Sequence, residues 1–264
     1  GETACSDCAA GSFGEEGASA ALPCLQGSYS SVLGLGSSDQ CSACPEGSFC
    51  FTGSLGHTEC TPGTVQPDAG QASCSKCAAG RYQDGEGETA CIDCPGGEYC
   101  AEGASAGLPC PSGRYQNSTL TELGISMTSA DDCLTCPEGH FCSTGAEAMT
   151  PCSPGTVQNR TGQGSCDRCA AGTYQDDSGE TACFTCTAGS YCEEGSAEAL
   201  PCTKGSFSNA TGLSSEVQCD GCPEGSFCST GALGPTECSA GTIQPLMAQG
   251  ACDKCSAGSY QEET

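Results

Sequence analysis

The chain has 264 residues, of which Leu, Ile, Val and Phe supply only 27, with 39 Gly, no Trp and a formal charge of −26. So little apolar surface cannot offset the entropy of ordering a chain around one large core, and taken alone it would describe a disordered segment. The 29 cysteines reverse that expectation: this density marks a disulfide-stapled extracellular or cell-surface protein, because the cytosol keeps thiols reduced and small cores need covalent help. The charge argues against nucleic acid or an anionic membrane as partner. No apolar run approaches the ~20 residues that span a bilayer, so no membrane insertion is expected in this segment.

In chain order, Gly1-Glu2-Thr3-Ala4-Cys5 recurs as Gly87-Glu88-Thr89-Ala90-Cys91 and as Gly179-Glu180-Thr181-Ala182-Cys183. These strings divide the chain into three cysteine-rich repeats, 1–86, 87–178 and 179–264, which read as a slice of a longer periodic chain. Within them the string Cys-x-x-Gly-x-[Tyr/Phe/Val/Ile] occurs fifteen times, starting at Cys8, Cys24, Cys44, Cys60 and Cys77 and continuing at similar spacing to Cys255. Its last position holds 12 of the 14 aromatics; only Phe51 and Phe184 stand elsewhere. Glycine supplies a turn that a Cβ would forbid, leading into a short extended segment whose one large side chain packs against a disulfide. Each rung then has a miniature core too small to stand alone, so the expected fold is an elongated array of small disulfide-rich repeats, made of short β-segments and turns with little helix.

The other fourteen cysteines alternate with these fifteen, so that each opener is followed by a closer. One closer is missing: Gly14 stands where the corresponding strings of the other repeats have Cys100 and Cys192. Cys94-Pro95-Gly96-Gly97-Glu98-Tyr99-Cys100 and Cys136-Pro137-Glu138-Gly139-His140-Phe141-Cys142, each followed by a further Pro-Cys about ten residues on, resemble the ephrin-receptor-like cysteine-rich repeats. That family is similar in style to the growth-factor-receptor and tumour-necrosis-factor-receptor modules. The resemblance implies an extracellular, disulfide-laddered rod and carries no enzymatic activity.

The expected pairing is opener to next closer: Cys24 to Cys41, Cys60 to Cys74, Cys77 to Cys91, Cys110 to Cys133, Cys152 to Cys166, Cys169 to Cys183, Cys202 to Cys219 and Cys238 to Cys252. For the short rungs an interleaved pattern, Cys91 to Cys100 with Cys94 to Cys110, copies one receptor module and stays open. Under sequential pairing Cys8 is left as a free or intermolecular thiol; under interleaving the orphan is Cys5. A 15-residue loop closed by a bridge contributes ~3 kcal/mol through the unfolded state, large beside a total stability of ~5–15 kcal/mol.

Nine Cys-x-x-Cys pairs such as Cys74/Cys77 have zinc half-site spacing, but the alternating third and fourth cysteines at fixed offsets favour structural disulfides, and no metal or other cofactor is expected. A thioredoxin-like pair would need a βαβ context that is missing. His57 and His140 do not recur between repeats and read as solvated surface residues, so no catalytic residue is expected and the chain is not read as an enzyme. Acidic pairs such as Asp131-Asp132 and Glu193-Glu194 read as solvated faces that bind divalent cations loosely at most.

All three Asn of the chain, Asn117, Asn159 and Asn209, begin Asn-x-Ser/Thr, and each lies seven residues after an opener. They are the expected N-glycan sites. The function expected is a structural subunit of an extracellular, glycosylated, disulfide-stapled filament or surface coat, partnered with itself end to end. The alternative is the stalk or ligand-binding ectodomain of a receptor or adhesin. Under that reading Leu120, Leu123, Ile125 and Met127, in the most apolar stretch of the chain, mark where to look.

Overall fold

The computed structural model describes residues 4–262; Gly1-Glu2-Thr3, which open the first repeat string, and Glu263-Thr264 lie outside the described residues. The described residues form fourteen pairs of two-residue strands, with antiparallel registers such as Ser12↔Pro23, one five-residue α-helix (Ser118–Glu122) and three single-turn 3-10 helices (Ser38–Gln40, Ala130–Asp132 and Glu216–Gln218). By contact the chain divides into two compact units. The first runs through Pro111 and takes in Tyr115–Leu134 and Gly145–Glu147; the second comprises Ser112–Arg114, Thr135–Thr144 and the chain from Ala148 onward.

The cysteine string generates each hairpin. Its Gly turns the chain, the next two residues form the first strand, and the second strand is the pair of residues just before the next opener, as in Thr156↔Arg168 with Val157↔Asp167 or Ser12↔Pro23 with Phe13↔Leu22. Proline can end the second strand at Pro23, Pro109, Pro151 and Pro201 because a two-stranded ribbon is all edge and lacks a further strand that would need the missing N–H. The two aromatics outside the string pack beside string residues: Phe184 opposite Tyr174, with ring centroids 6.0 Å apart, and Phe51 edge-on to Phe49 at 5.0 Å.

Rungs are tied to one another by backbone. An opener's N–H donates to the string Gly of the rung before, as in Cys169 to Gly155 at 2.9 Å, and its C=O accepts from a second glycine one rung on, as from Gly195 at 2.8 Å. That second glycine's carbonyl in turn lies against the string Gly two rungs before its own. Gly155, at φ +82°, faces the carbonyl of Gly195 so closely that a Cβ would overlap it. The rungs from Cys110 and Cys238 depart from this scheme. A Cβ at Gly80 would meet the Ser126 side chain instead of a glycine carbonyl. Ala248 occupies the second-glycine position of its rung and is the only non-glycine with positive φ, +56°, among the described residues.

The centre of a rung differs from the expectation. The string's large side chain is fully buried only at Phe13 and Val65; from Tyr29 to Phe227 the others are half-buried, and Ile243 and Tyr260 are exposed. What is buried instead is sulfur: Cys24, Cys60, Cys110, Cys152 and Cys202 are 0% exposed. In seven rungs the backbone of that residue also bridges in parallel to the next rung, as Tyr174 does to Ser196 and Phe207 to Ala232.

Two reciprocal substitutions test the inter-rung lock. Gly155→Ala forces an L-residue into the left-handed region against a carbonyl and should lower stability by at least the ~1–3 kcal/mol of that strain. Ala248→Gly removes such strain and should raise stability by about 1 kcal/mol. Both are read by denaturant unfolding or amide exchange; equal and negligible effects would contradict the lock.

Candidate functional site

The residue six places after each opener organises the rung. Its C=O accepts from the string Gly of the preceding rung, Gln116 excepted, where the side-chain Oε1 accepts instead, and its N–H donates to the following rung. Gln158 accepts from Gly139 at 2.7 Å and donates to Glu180 at 3.1 Å; Cys192 accepts from Gly172 at 2.7 Å and donates to Leu213 at 2.9 Å. With both backbone groups committed inward, the residue is buried in twelve of the fifteen rungs, and its identity goes with the disulfide of the rung.

Where the sixth residue is Cys, it bridges its own opener across six residues: Cys44–Cys50, Cys94–Cys100, Cys136–Cys142, Cys186–Cys192 and Cys222–Cys228, with Cα–Cα separations of 5.9 or 6.0 Å. Where it is a buried Gln, the opener reaches a closer fourteen residues on, giving Cys60–Cys74, Cys77–Cys91, Cys152–Cys166, Cys169–Cys183 and Cys238–Cys252. The Gln amide holds that loop shut. Gln158 Nε2 donates to the Ser165 carbonyl at 2.9 Å, directly before Cys166, while its Oε1 accepts from the Arg160 N–H at 3.1 Å. Gln66, Gln83, Gln175 and Gln244 repeat the contact with Ser73, Ala90, Ala182 and Ala251. Where the sixth residue is Ser30 or Ser208, the loop is longer and a 3-10 turn precedes the closer, giving Cys24–Cys41 and Cys202–Cys219.

These glutamines carry no weight in the sequence pattern, which ends at the aromatic, although Gln follows the string's last residue at positions 66, 83, 158, 175 and 244. Gln158→Leu removes both bonds from a side chain that is 2% exposed and should cost about 1–3 kcal/mol. Thermal unfolding of the variant checks this, and wild-type stability would remove Gln from its assigned role.

The fourth loop type occurs once, in the 23-residue span of Cys110–Cys133. Gln116 Oε1 accepts from the Gly97 N–H, and Asn117 caps the short helix by accepting from the Leu120 N–H. Met127, 5% exposed, and Leu120 fold back on the cystine beside Tyr99. Leu123 and Ile125 remain exposed. Asp132 closes this loop by accepting from the Thr128 N–H and hydroxyl and the Ser129 N–H. These bonds, that of the Thr128 backbone foremost, hold its carboxyl below the usual range against the opposing effect of burial.

Cys5, Cys8 and Cys255 are the free cysteines among the described residues. Cys8 has its opener's geometry intact: a Cβ added at Gly14 would sit 2.8 Å from the Cys8 Sγ, and Gly14 keeps the backbone bond of a sixth residue, to Leu35 at 2.9 Å. The first rung is therefore a short rung lacking only its second sulfur. Gly14→Cys should restore that sulfur, bridge it to Cys8 and abolish alkylation of Cys8 while leaving Cys5 and Cys255 reactive; peptide-resolved thiol labelling decides it, and a Cys8 still labelled in the variant would refute the assignment.

From Cys41/Cys44 to Cys219/Cys222, each Cys-x-x-Cys pair is the closer of one rung and the opener of the next, its two sulfurs committed to different bridges, which removes them as zinc thiolates. His57 stacks edge-on to Tyr29 at 5.7 Å, and the His140 Nδ1 lies 3.1 Å from the Glu138 carbonyl. The two histidines share no cluster. Asn159 and Asn209 are exposed and Asn117 is half-buried.

This rung geometry, with its six- and fourteen-residue bridges, frames the comparison with known sequences. Residues 63–107 match a family described as tyrosine-protein kinase ephrin type A/B receptor-like. The matched stretch holds the Gln83 rung, Cys77–Cys91, and the short rung Cys94–Cys100. No curated protein matches the chain. Segments of this family are a non-catalytic ectodomain type, and with thirteen disulfides they place the chain in a secreted or surface location. No helix among the described residues is long and apolar enough to cross a membrane.

Proposed function

We propose that the chain is a structural segment of an extracellular filament or surface coat, built by repeating one disulfide rung and joined to further rungs of its own kind end to end. The observation that supports this reading is the inter-rung lock. Each interior rung takes hydrogen bonds from its neighbours on both sides, so that adding rungs extends the structure without a new interface having to evolve. A surface with 33 acidic and 7 basic residues stays hydrated and resists side-by-side contact at low salt. Lateral bundling then depends on loosely held divalent cations or on covalent sugar. Catalysis has no part in this function.

A second reading, a receptor or adhesin ectodomain, is favoured by the receptor-like family match and by the exposed Leu123 and Ile125 of the Cys110–Cys133 loop, which spans 23 residues where its counterparts Cys24–Cys41 and Cys202–Cys219 span 17. Electron microscopy of the native material separates the two. The structural reading expects filaments or a coat with an axial repeat, whose bundles disperse on adding chelator or on enzymatic removal of sugar. Isolated, monomeric, membrane-tethered particles would overturn it in favour of the ectodomain.

A further inference from the structure

We infer that Asn159 and Asn209 carry N-linked oligosaccharides, attached at a rung position that the fold leaves exposed in all rungs but that of Asn117. The inference rests on the extracellular placement above, since only a chain passing through a secretory route meets the transferring enzyme. The residue seven places after an opener is exposed in fourteen of the fifteen rungs, while its neighbour at place six is buried in twelve. In the rungs with a buried Gln or Ser a local device accompanies the alternation. The buried side chain at place six accepts a hydrogen bond from the N–H at place eight, Gln158 from Arg160 at 3.1 Å and Ser208 from Ala210 at 3.2 Å, so that Asn159 and Asn209 stand at the apex of a side-chain-closed turn.

Both apices carry the required chemistry. Asn159-Arg160-Thr161 and Asn209-Ala210-Thr211 present the acceptor amide and the hydroxyl two residues on, with all six residues exposed. Transfer forms a bond between the Asn Nδ2 and the anomeric carbon of an oligosaccharide supplied on a polyprenyl diphosphate. The carbon–oxygen bond to the diphosphate breaks, the diphosphate leaves with the electron pair, and the amide gives up one proton to a base of the transferase. A sugar of that bulk is compatible with the folded rung because Asn159 and Asn209 are exposed, while the bonds to the two adjacent rungs are made by place six.

Asn117 is the one exception to outward placement. There Gln116 forms no bond to the N–H two residues on, its Oε1 being taken by Gly97 and its Nε2 by Thr121, and the Asn117 side chain caps the short helix. The assignment concerns Asn159 and Asn209 alone.

The test is glycopeptide mass spectrometry of the full chain secreted from a eukaryotic host, before and after treatment with a peptide-N-glycosidase in isotopically heavy water, with free thiols counted on the same sample. The expected result is conversion of Asn159 and Asn209 to heavy-oxygen Asp, loss of one glycan's mass in each of Asn159→Gln and Asn209→Gln, and an unchanged thiol count. Unmodified Asn at either position in protein whose disulfides are formed would overturn the assignment while leaving the extracellular reading standing. Free thiols throughout the secreted chain would instead defeat the extracellular reading itself.

Discussion

The structure depends on one pair of backbone hydrogen bonds, those at the residue six places after each opener. A chain with 27 Leu, Ile, Val and Phe in 264 residues cannot bury enough apolar surface to hold its loops, and a single backbone bond contributes only about 1 kcal/mol. Repetition makes the arrangement sufficient. Each interior sixth residue ties its rung to both neighbours, the opener's N–H and, in all interior rungs but that of Cys94, its C=O do the same one step away, and the buried Gln amides are satisfied within their own loops. The disulfides complement this by limiting the unfolded ensemble, an effect of ~3 kcal/mol for a loop of about 15 residues.

The same constraint explains why the rungs differ without breaking the pattern. Once the sixth backbone is fixed, only its side chain varies. Cys closes the rung on itself, Gln reaches seven residues ahead to hold the approach to a distant closer, and Ser leaves room for a loop ending in a 3-10 turn. Gly14 keeps the backbone bond and gives up the sulfur, and the first rung persists. A chain organised in this way tolerates variation in loops while keeping its register, which suits a repeating extracellular material and equally a receptor-like module.

Much of this was legible in the sequence, for a physical reason: the glycine that must turn and the cysteine that must bridge are irreplaceable at their posts, so their spacing survives in the residue string. The absence of long helix and the short paired strands followed from the same spacing. Less legible was what fills a rung. Aromatics are the natural candidates for a core because they are the largest side chains available, but Tyr82 and Tyr174 lie half-buried along the flank while Gln83 and Gln175, 4% and 0% exposed, go inside. Gln reads as a surface residue by type; only its two backbone partners, Ala90 and Gly85 for Gln83, make its burial favourable, and those become neighbours only after folding. The cap role of Asn117 was hidden likewise, since its sequon is identical in form to the other two and differs only in the loop that follows.

Non-reducing peptide mapping across Cys77 to Cys110 tests this account most directly, because the geometry of the sixth residue dictates which sulfur meets which. If Cys100 is held beside its own opener, the map must contain Cys94 joined to Cys100 and Cys77 joined to Cys91. Recovery of Cys91 joined to Cys100, with Cys94 joined to Cys110, would mean that the sixth residue does not set the bridge and would contradict the rung as described.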